Sequence, residues 1–214
     1  NSYTDQFMAY LKPYDSSVLP LDTLREDFTA VDECLYDGKM YYAGLAMMTC
    51  GVFYNTQMWA DAGLTDADIP KTWDELAAVA KKLTKYDENG KVTVAGFNYN
   101  EMSMEYLISA LNYHKGIPMF EADGVTPKFN DGFKETVQWL KDLYDVQKAG
   151  SVELPMSILS FSQGTSAMTY IGTWFGNWMK QNAPDMGYSF FILPTVDGQT
   201  PPAYDRYNVE VSPA

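Results

Sequence analysis

A chain of 214 residues that is 46% hydrophobic can bury a substantial core, as one large domain or two small ones. Its 15 lysine and arginine residues are outnumbered by 28 aspartates and glutamates, which leaves a net charge of -13. Such a surface repels nucleic acid and anionic membranes, so the composition argues against both as partners.

The sequence offers neither a membrane span nor a cofactor motif. The longest apolar stretches, such as 44–54, fall short of the roughly 20 residues that cross a bilayer, and no secretion signal opens the chain. If the protein is secreted, we expect its signal to lie outside this sequence. Cys34 and Cys50 lack the C-x-x-C spacing of zinc and redox sites, so no metal or other cofactor is expected. A disulfide between them is unsupported, and Cys50 is interpreted as a small buried hydrophobe.

The first predicted elements are a short helix and a hairpin. An amphipathic helix is predicted around Asp5 to Leu11, and Pro13 stops it. The dipeptide Asp37-Gly38 is a strong turn signal, so residues 35–36 and 40–42 are predicted to pair as a hairpin.

Helices and strands then alternate from residue 72 to residue 193, which predicts an α/β layer structure. Thr72 and Glu75 form a capping box ahead of an apolar pattern with helical spacing, so a helix is predicted there. The acidic turn 87–90 lacks the ligand spacing of an EF-hand calcium loop and is interpreted as a solvated turn before a strand from Val92 to Phe97.

A long helix is predicted further along the chain. Asn130 or Asp131 is expected to cap it, and Gly150 to end it. Its predicted apolar face consists of Phe133, Val137, Leu140 and Tyr144.

The run from Phe161 to Trp174 is the most informative stretch of the chain. Gly164 is predicted to end a helix with a positive φ, and 167–171 is an apolar run of strand length. We interpret Gly172 as the residue that lets the backbone turn before Trp174 opens a helix. An indole held at such a rim can be a ligand platform or can pack in the core, and the motif alone leaves both readings open. Trp59, Trp73 and Trp139 occupy helical positions typical of core or helix-packing residues.

Residues suited to catalysis are sparse. The one histidine, His114, is placed at a predicted helix end, where an imidazole meets exposed carbonyls, and no serine stands in a G-x-S-x-G elbow. No nucleotide-binding glycine loop is present. Glu101, Glu105 and Asp205 are candidate glycosidase carboxylates, but spacing in sequence does not establish the ~5–10 Å separation that such a pair needs.

Four blocks of the sequence resemble one protein family, in the family's order. The first is YYAGL at 41–45, followed by VFYN at 52–55 and AGL at 62–64. The second is PKTWDEL at 70–76, and the third is the pattern F-x-x-G-x-x-A-M-x-x-x-G-x-W over 161–174. The fourth is YSFFILP at 188–194. Together they are similar to the family 1 extracellular solute-binding proteins of ABC importers, especially their maltose-binding and oligosaccharide-binding members.

The resemblance implies a fold and a division into lobes. It implies an α/β fold of the periplasmic-binding-protein type II kind, in which this chain is an interior portion. Residues 1–46 would be a remnant of lobe one, 47–203 would be lobe two with a hinge crossover at its start, and 204–214 would be the return crossing to lobe one.

The resemblance also implies where a ligand would bind. Trp174 is the aromatic platform, and Trp178 supports it. Tyr99, Asn100 and Glu101 match a loop where sugar-binding members place polar and aromatic contacts.

The hinge crossover completes the implied site and departs from the family pattern. Met48 and Thr49 stand where maltose-type proteins carry an acidic ligand-binding residue, and Asp205 lies at the return crossing. Because that carboxylate is missing, the resemblance does not carry maltodextrin specificity over to this chain. Methionines at the hinge could instead line an adaptable apolar floor.

The implied function is the substrate-binding subunit of an ABC importer, located outside the cytoplasm, in a periplasm or as a cell-surface lipoprotein. It would bind a carbohydrate, most simply an oligosaccharide, in a cleft between two lobes, and would deliver it to the transmembrane permease subunits. The whole protein is expected to be monomeric and to catalyse no reaction. The alternatives are a secreted carbohydrate-active enzyme and a binder of the same fold for a polyamine, a peptide or a metal.

Overall fold

A computed structural model describes residues 8–28, 31–122, 126–199 and 206–213, and of residues 9, 33, 43–48 and 206–213 it describes the backbone only. The chain divides into two compact units. The first comprises Asn1–Thr49 and Arg206–Ala214, and the second comprises Cys50–Asp205.

The first unit contains a small hairpin and a two-stranded ladder. Strands β1 (Leu35–Tyr36) and β2 (Lys39–Met40) pair antiparallel, which confirms the predicted hairpin. Asp37 and Gly38 both have positive φ, of 50° and 72°, as a two-residue hairpin turn of the primed type requires. The predicted helix at Asp5 lies mostly outside the described residues, and its described part is a 3-10 turn over Met8–Tyr10.

Helix α1 (Leu21–Asp27) and a 3-10 turn over Val31–Cys34 complete the described part of the first unit around a small core of Cys34, Met40 and Tyr42. The long strand β3 (Tyr42–Asn55) begins here, and its first part pairs antiparallel with β8 (Arg206–Pro213). That pairing runs from Tyr42 opposite Pro213 to Thr49 opposite Arg206.

The second unit is built on the remainder of β3. This part of β3 lies between β6 (Met168–Gly172) and β7 (Tyr188–Phe191), and both neighbours are antiparallel to it. In that register Val52 lies opposite Tyr170 on one side and opposite Phe191 on the other. The central position explains the continuous apolar run of β3, because residues 50–55 are buried throughout.

The described part of the second unit also contains six helices. In chain order they are α2 (Thr56–Asp61), α3 (Trp73–Leu83), α4 (Met102–His114), α5 (Asp131–Asp145), α6 (Ser157–Ser162) and α7 (Phe175–Asn182). A 3-10 turn spans Asp66–Asp68, and β4 (Lys85–Tyr86) pairs with β5 (Val92–Val94). No helix in the described ranges combines the length and the apolar character that crossing a bilayer requires.

The capping box predicted for α3 is confirmed. The Thr72 hydroxyl accepts a hydrogen bond from the Glu75 amide at 3.2 Å, and the Glu75 carboxylate accepts one from the Thr72 amide at 3.3 Å. Trp73 is buried on this helix, and Trp59 is buried on α2, as the sequence predicts. Trp139 is half-buried, with its ring centroid 4.9 Å from that of Trp73.

Helix α5 differs from its prediction in its end and in its buried face. Asn130 caps it as expected, its side-chain oxygen accepting from the Phe133 amide at 2.9 Å. The helix ends at Asp145 rather than Gly150, and Lys148 has a φ of 57°, which an α-helix does not accommodate. The amide of the buried Ala149 then donates to the Leu143 carbonyl at 2.9 Å. The buried residues are Thr136, Leu140, Leu143 and Tyr144, whereas Val137 is 39% exposed.

The strand predicted from Val92 to Phe97 is shorter than expected. Regular pairing with β4 stops at Val94, and the following backbone finds other partners. Ala95 bridges to Ser166, the Gly96 amide donates to the Thr84 hydroxyl at 3.0 Å, and the Phe97 amide donates to the Ala149 carbonyl at 3.1 Å. The segment is therefore a junction between several elements.

Cys34 and Cys50 are both buried, and they form no disulfide. Burial confirms the interpretation of Cys50 as a small hydrophobe. His114 is the last residue of α4, at the helix end predicted for it.

Candidate functional site

The segment leading to Trp174 has the predicted order of elements. Helix α6 ends with Gly164 at a φ of 72°, β6 follows with all its residues buried, and α7 begins at Phe175. Trp174 occupies the N-cap position of α7, but its side chain makes no capping hydrogen bond. Its side chain is half-buried, so one part of the indole is held by the protein while another part faces solvent.

The predicted role of Gly172 as a backbone turn was wrong. Gly172 is the last residue of β6, lies opposite Cys50, and is not among the residues with positive φ. A Cβ built on Gly172 would lie 2.6 Å from both Cδ1 and Nε1 of Trp174. A side chain at position 172 would therefore have to displace the indole, which occupies its space.

Phe175 supports Trp174 from the core. Phe175 is fully buried, and its ring centroid lies 6.1 Å from that of Trp174 in an edge-on arrangement. Trp178 stacks on the same phenylalanine, with centroids 5.5 Å apart and an angle of 19°. Trp178 therefore reaches Trp174 through Phe175, a residue that the sequence analysis did not single out.

The loop before α4 contains three of the predicted site residues, and two of them are buried. The Tyr99 hydroxyl donates to the Leu140 carbonyl at 2.6 Å, and its ring stacks on Tyr144 with centroids 4.2 Å apart. Burial, with a smaller contribution from the nearby carboxylate of Asp145, raises the pKa of Tyr99 above its ordinary range. This hydroxyl is thus a neutral, internally bonded group.

Asn100 is likewise bonded within the fold. Its side-chain nitrogen donates to the carbonyls of Ser151 and Leu154, both at 2.9 Å, and its side-chain oxygen accepts from the Tyr144 hydroxyl at 3.1 Å. A ligand contact by Asn100 or Tyr99 stays a prediction, and each such contact would have to share or replace one of these bonds.

Glu101 is the exposed member of the loop. Its φ of 56° and ψ of -107° are unusual for a residue with a side chain, and such strained conformations cost about 1–3 kcal/mol and occur often at functional sites. The residue occupies the N-cap position of α4 without a capping bond from its side chain. The Glu101 side chain is exposed, so its carboxylate is available to a ligand near the start of α4.

A buried hydroxyl network joins this loop to the strand that leads to Trp174. Ser103 of α4 lies 2.6 Å from the Ser157 hydroxyl of α6 and 3.1 Å from the Thr169 hydroxyl of β6, oxygen to oxygen. All three residues are fully buried. Small polar residues in separate apolar segments carry no sequence signal for such an arrangement, and the sequence analysis missed them.

The other predicted site residues belong to the boundary of the first unit or lie outside the description. Thr49 is exposed, and the backbone of Met48 pairs with Asn208. The Met48 side chain and the whole of Asp205 are outside the described residues. The contributions of these three residues to a site stay predictions.

Within the described ranges, no group of three or more histidine, cysteine, aspartate or glutamate side chains is arranged to hold a metal ion. Glu101 and Glu105 are both exposed at the start of α4. The described part of the second unit presents the half-buried indole of Trp174 and the exposed carboxylate of Glu101, which lies on a strained backbone. These groups are suited to binding a ligand.

The family model for the bacterial extracellular solute-binding proteins matches residues 3–212. The chain belongs to this family. A Brucella abortus protein, named as a binding protein, is 23% identical over 170 residues, which cover 78% of this chain and 40% of the relative.

Two solved structures show the fold. A maltose/maltodextrin-binding domain from Bdellovibrio bacteriovorus, bound to maltotriose, has a TM-score of 0.72 at 26% identity, and the match covers 92% of this chain and 50% of that one. An ABC transporter solute-binding protein from Thermotoga lettingae, bound to alpha-D-tagatose, has a TM-score of 0.73 at 19% identity, with 90% and 50% covered. The predicted α/β fold of the periplasmic-binding-protein type II kind is confirmed. The chain spans about half the length of these solved relatives.

Proposed function

We propose that this chain is part of the substrate-binding subunit of an ABC importer and that the whole protein captures a carbohydrate between two lobes. The observation that carries the proposal is the half-buried indole of Trp174, held against Gly172 and Phe175. A sugar ring presents a C–H face that stacks on such a surface, and its hydroxyls need polar partners, of which Glu101 is the exposed candidate.

The lobe assignment is part of the proposal. Residues 1–46 and 204–214 belong to a first lobe, and residues 47–203 form the second. The division into compact units after Thr49 and before Arg206 supports this assignment. In the whole protein a ligand that contacts both lobes stabilises the closed arrangement, which the membrane permease then recognises.

Location and partners follow from the same proposal. The protein acts outside the cytoplasm, either in a periplasm or anchored to the cell surface as a lipoprotein, as a monomer with the permease subunits as its partners. The family's description as extracellular supports this location. The net charge of -13 supports a role that involves no nucleic acid.

Both sugar classes bound by the two solved relatives are candidates, a linear glucose trisaccharide and a ketohexose. A thermal-shift screen of the whole protein with maltotriose, alpha-D-tagatose and other mono- and oligosaccharides tests the proposal. A sugar at a hundredfold its dissociation constant adds about 2.7 kcal/mol of stability, enough to raise the melting temperature clearly. A flat response to every sugar, together with a rise for a polyamine or a peptide, would contradict carbohydrate binding.

A further inference from the structure

Gly172 and Trp174 are in closer contact than two residues with side chains could be. The hypothetical Cβ of Gly172 falls 2.6 Å from two atoms of the indole's five-membered ring, and 3.7 Å from a third, Cε2. Real Cβ atoms essentially never approach other heavy atoms within 3.0 Å. The ring therefore lies directly against the backbone of β6.

The backbone at Gly172 does not itself need glycine. The residue is paired with Cys50 in the antiparallel ladder, and its φ lies outside the left-handed region. An alanine could adopt this conformation without strain. The steric demand comes from the indole alone, which separates this glycine from those that are required by a turn.

The second contact of the indole is also fixed. Phe175 is fully buried, with Phe53 at 5.3 Å and Phe161 at 5.7 Å from it, centroid to centroid. Neither the strand backbone nor this ring can shift without disturbing the core. The indole thus rests against two rigid groups.

We propose that Gly172 is a positioning residue that holds the Trp174 indole in the orientation in which it stacks on the sugar. This inference rests on the proposed function. A ring that is oriented before the ligand arrives loses little conformational freedom on binding. The affinity therefore depends on the groups that orient the ring as well as on the ring itself.

A double-mutant cycle of thermal unfolding, measured on the whole protein without ligand, tests the contact between Gly172 and the Trp174 indole. Gly172→Ala should lower the melting temperature when Trp174 is present, because the methyl group displaces the indole. In a Trp174→Ala background the same change should be neutral or should raise the melting temperature, because alanine at an unstrained position restricts the unfolded chain. Gly176→Ala is the matched control, since its Cβ would come no closer than 3.4 Å to the nearest atom and should behave alike in both backgrounds.

Two further readouts test the orientation. Gly172→Ala should alter the part of the near-ultraviolet circular dichroism that Trp174→Phe removes, and Gly176→Ala should leave it in place. With the sugar found by the thermal-shift screen, Gly172→Ala should weaken binding about fivefold or more, but should have no added effect once Trp174 is alanine.

The outcomes distinguish the contact between Gly172 and the indole from its role in binding. Equal effects of Gly172→Ala on the melting temperature in both backgrounds would rule out the contact. If Gly172→Ala alone fails to fold while the double variant folds, the rescue supports the contact, and failure of both variants to fold would rule it out. The effect of Gly172→Ala on the melting temperature could depend on Trp174 while Trp174→Ala leaves the sugar affinity unchanged. That result would support the contact between Gly172 and the indole, but it would overturn the role of Gly172 in binding and Trp174 as the platform.

Discussion

The backbone of Gly96 lies against the carbonyl group of Ala80, so closely that a Cβ on Gly96 would be 1.7 Å from the carbonyl oxygen. Ala80 belongs to α3 and is fully buried, while Gly96 follows β5. The junction between helix and strand segment therefore depends on the absence of one methyl group.

We predict that Gly96→Ala destabilises the protein by about 3 kcal/mol or more, because the contact is with rigid backbone and cannot be relieved by a side-chain rotation. Chemical denaturation measures the loss. Gly176→Ala is the control, because its Cβ would be in ordinary van der Waals contact, and it should change stability by less than about 1 kcal/mol. Equal stability of the two variants would show that α3 and the segment after β5 are farther apart than the structure places them.

Asn100→Ala should lower stability, since it removes two side-chain hydrogen bonds to the half-buried carbonyl groups of Ser151 and Leu154. It also leaves the Tyr144 hydroxyl, as a donor, only the longer bond to Asn98, at 3.3 Å. A buried polar group that loses its partner costs about 1–3 kcal/mol. Asn182→Ala is the control, because Asn182 is exposed and its side chain donates to a single carbonyl, that of Trp178. Unchanged stability of Asn100→Ala together with lost sugar binding would instead assign the amide to the ligand.

The paired tyrosines Tyr99 and Tyr144 predict a loss of stability in alkaline solution. Burial raises the pKa of both hydroxyls above the ordinary value of about 10. Because the folded state favours their neutral form, their stabilising effect is complete below pH ~10 and is lost as the pH rises further. For each fully buried tyrosine the slope can reach about 1.4 kcal/mol per pH unit.

Denaturation measured at a series of pH values, with absorbance titration of phenolate, checks this expectation. Tyr99 and Tyr144 should be among the tyrosines that ionise only as the protein unfolds, and Tyr99→Phe should reduce the number of such tyrosines by one. Simultaneous ionisation of all 16 tyrosines in the folded protein would contradict the burial of this pair.

The sequence predicted the elements whose causes are local. The Thr72 capping box, the Asn130 cap and the Asp37-Gly38 hairpin turn each depend on a few neighbouring residues, and all three are confirmed. It could not predict the end of α5 at Asp145, because the positive φ follows at Lys148, a residue type that gives no local signal for that conformation.

The site was predictable to a similar extent. The motif located Trp174 between β6 and a helix but left open whether the indole lies at a rim or in the core. Gly172 was interpreted as a turn because sequence cannot show a ring lying over a strand backbone. Tyr99 and Asn100 look like surface loop residues in sequence, whereas the structure buries both. The Ser103, Ser157 and Thr169 network links three separate segments and had no local signal.

We also predict that the protein cleaves no glycosidic bond, since the candidate carboxylates in the described part of the chain, Glu101 at the N-cap of α4 and Glu105 in its first turn, are both exposed. Prolonged incubation of the whole protein with oligosaccharides, followed by chromatography, measures any cleavage. Glu101→Gln is the matched variant. Product formation that this variant abolishes would identify an enzyme.

Isothermal titration of the whole protein with the sugar found in the screen, compared with Trp174→Ala and Trp174→Phe, is the sharpest test of Trp174 as the sugar platform. We expect Trp174→Ala to weaken binding by at least about 1 kcal/mol, Trp174→Phe to lose less because an aromatic face remains, and both variants to keep the fold. Wild-type affinity in Trp174→Ala, or its gross unfolding, would rule out the platform and return Trp174 to the role of a core residue.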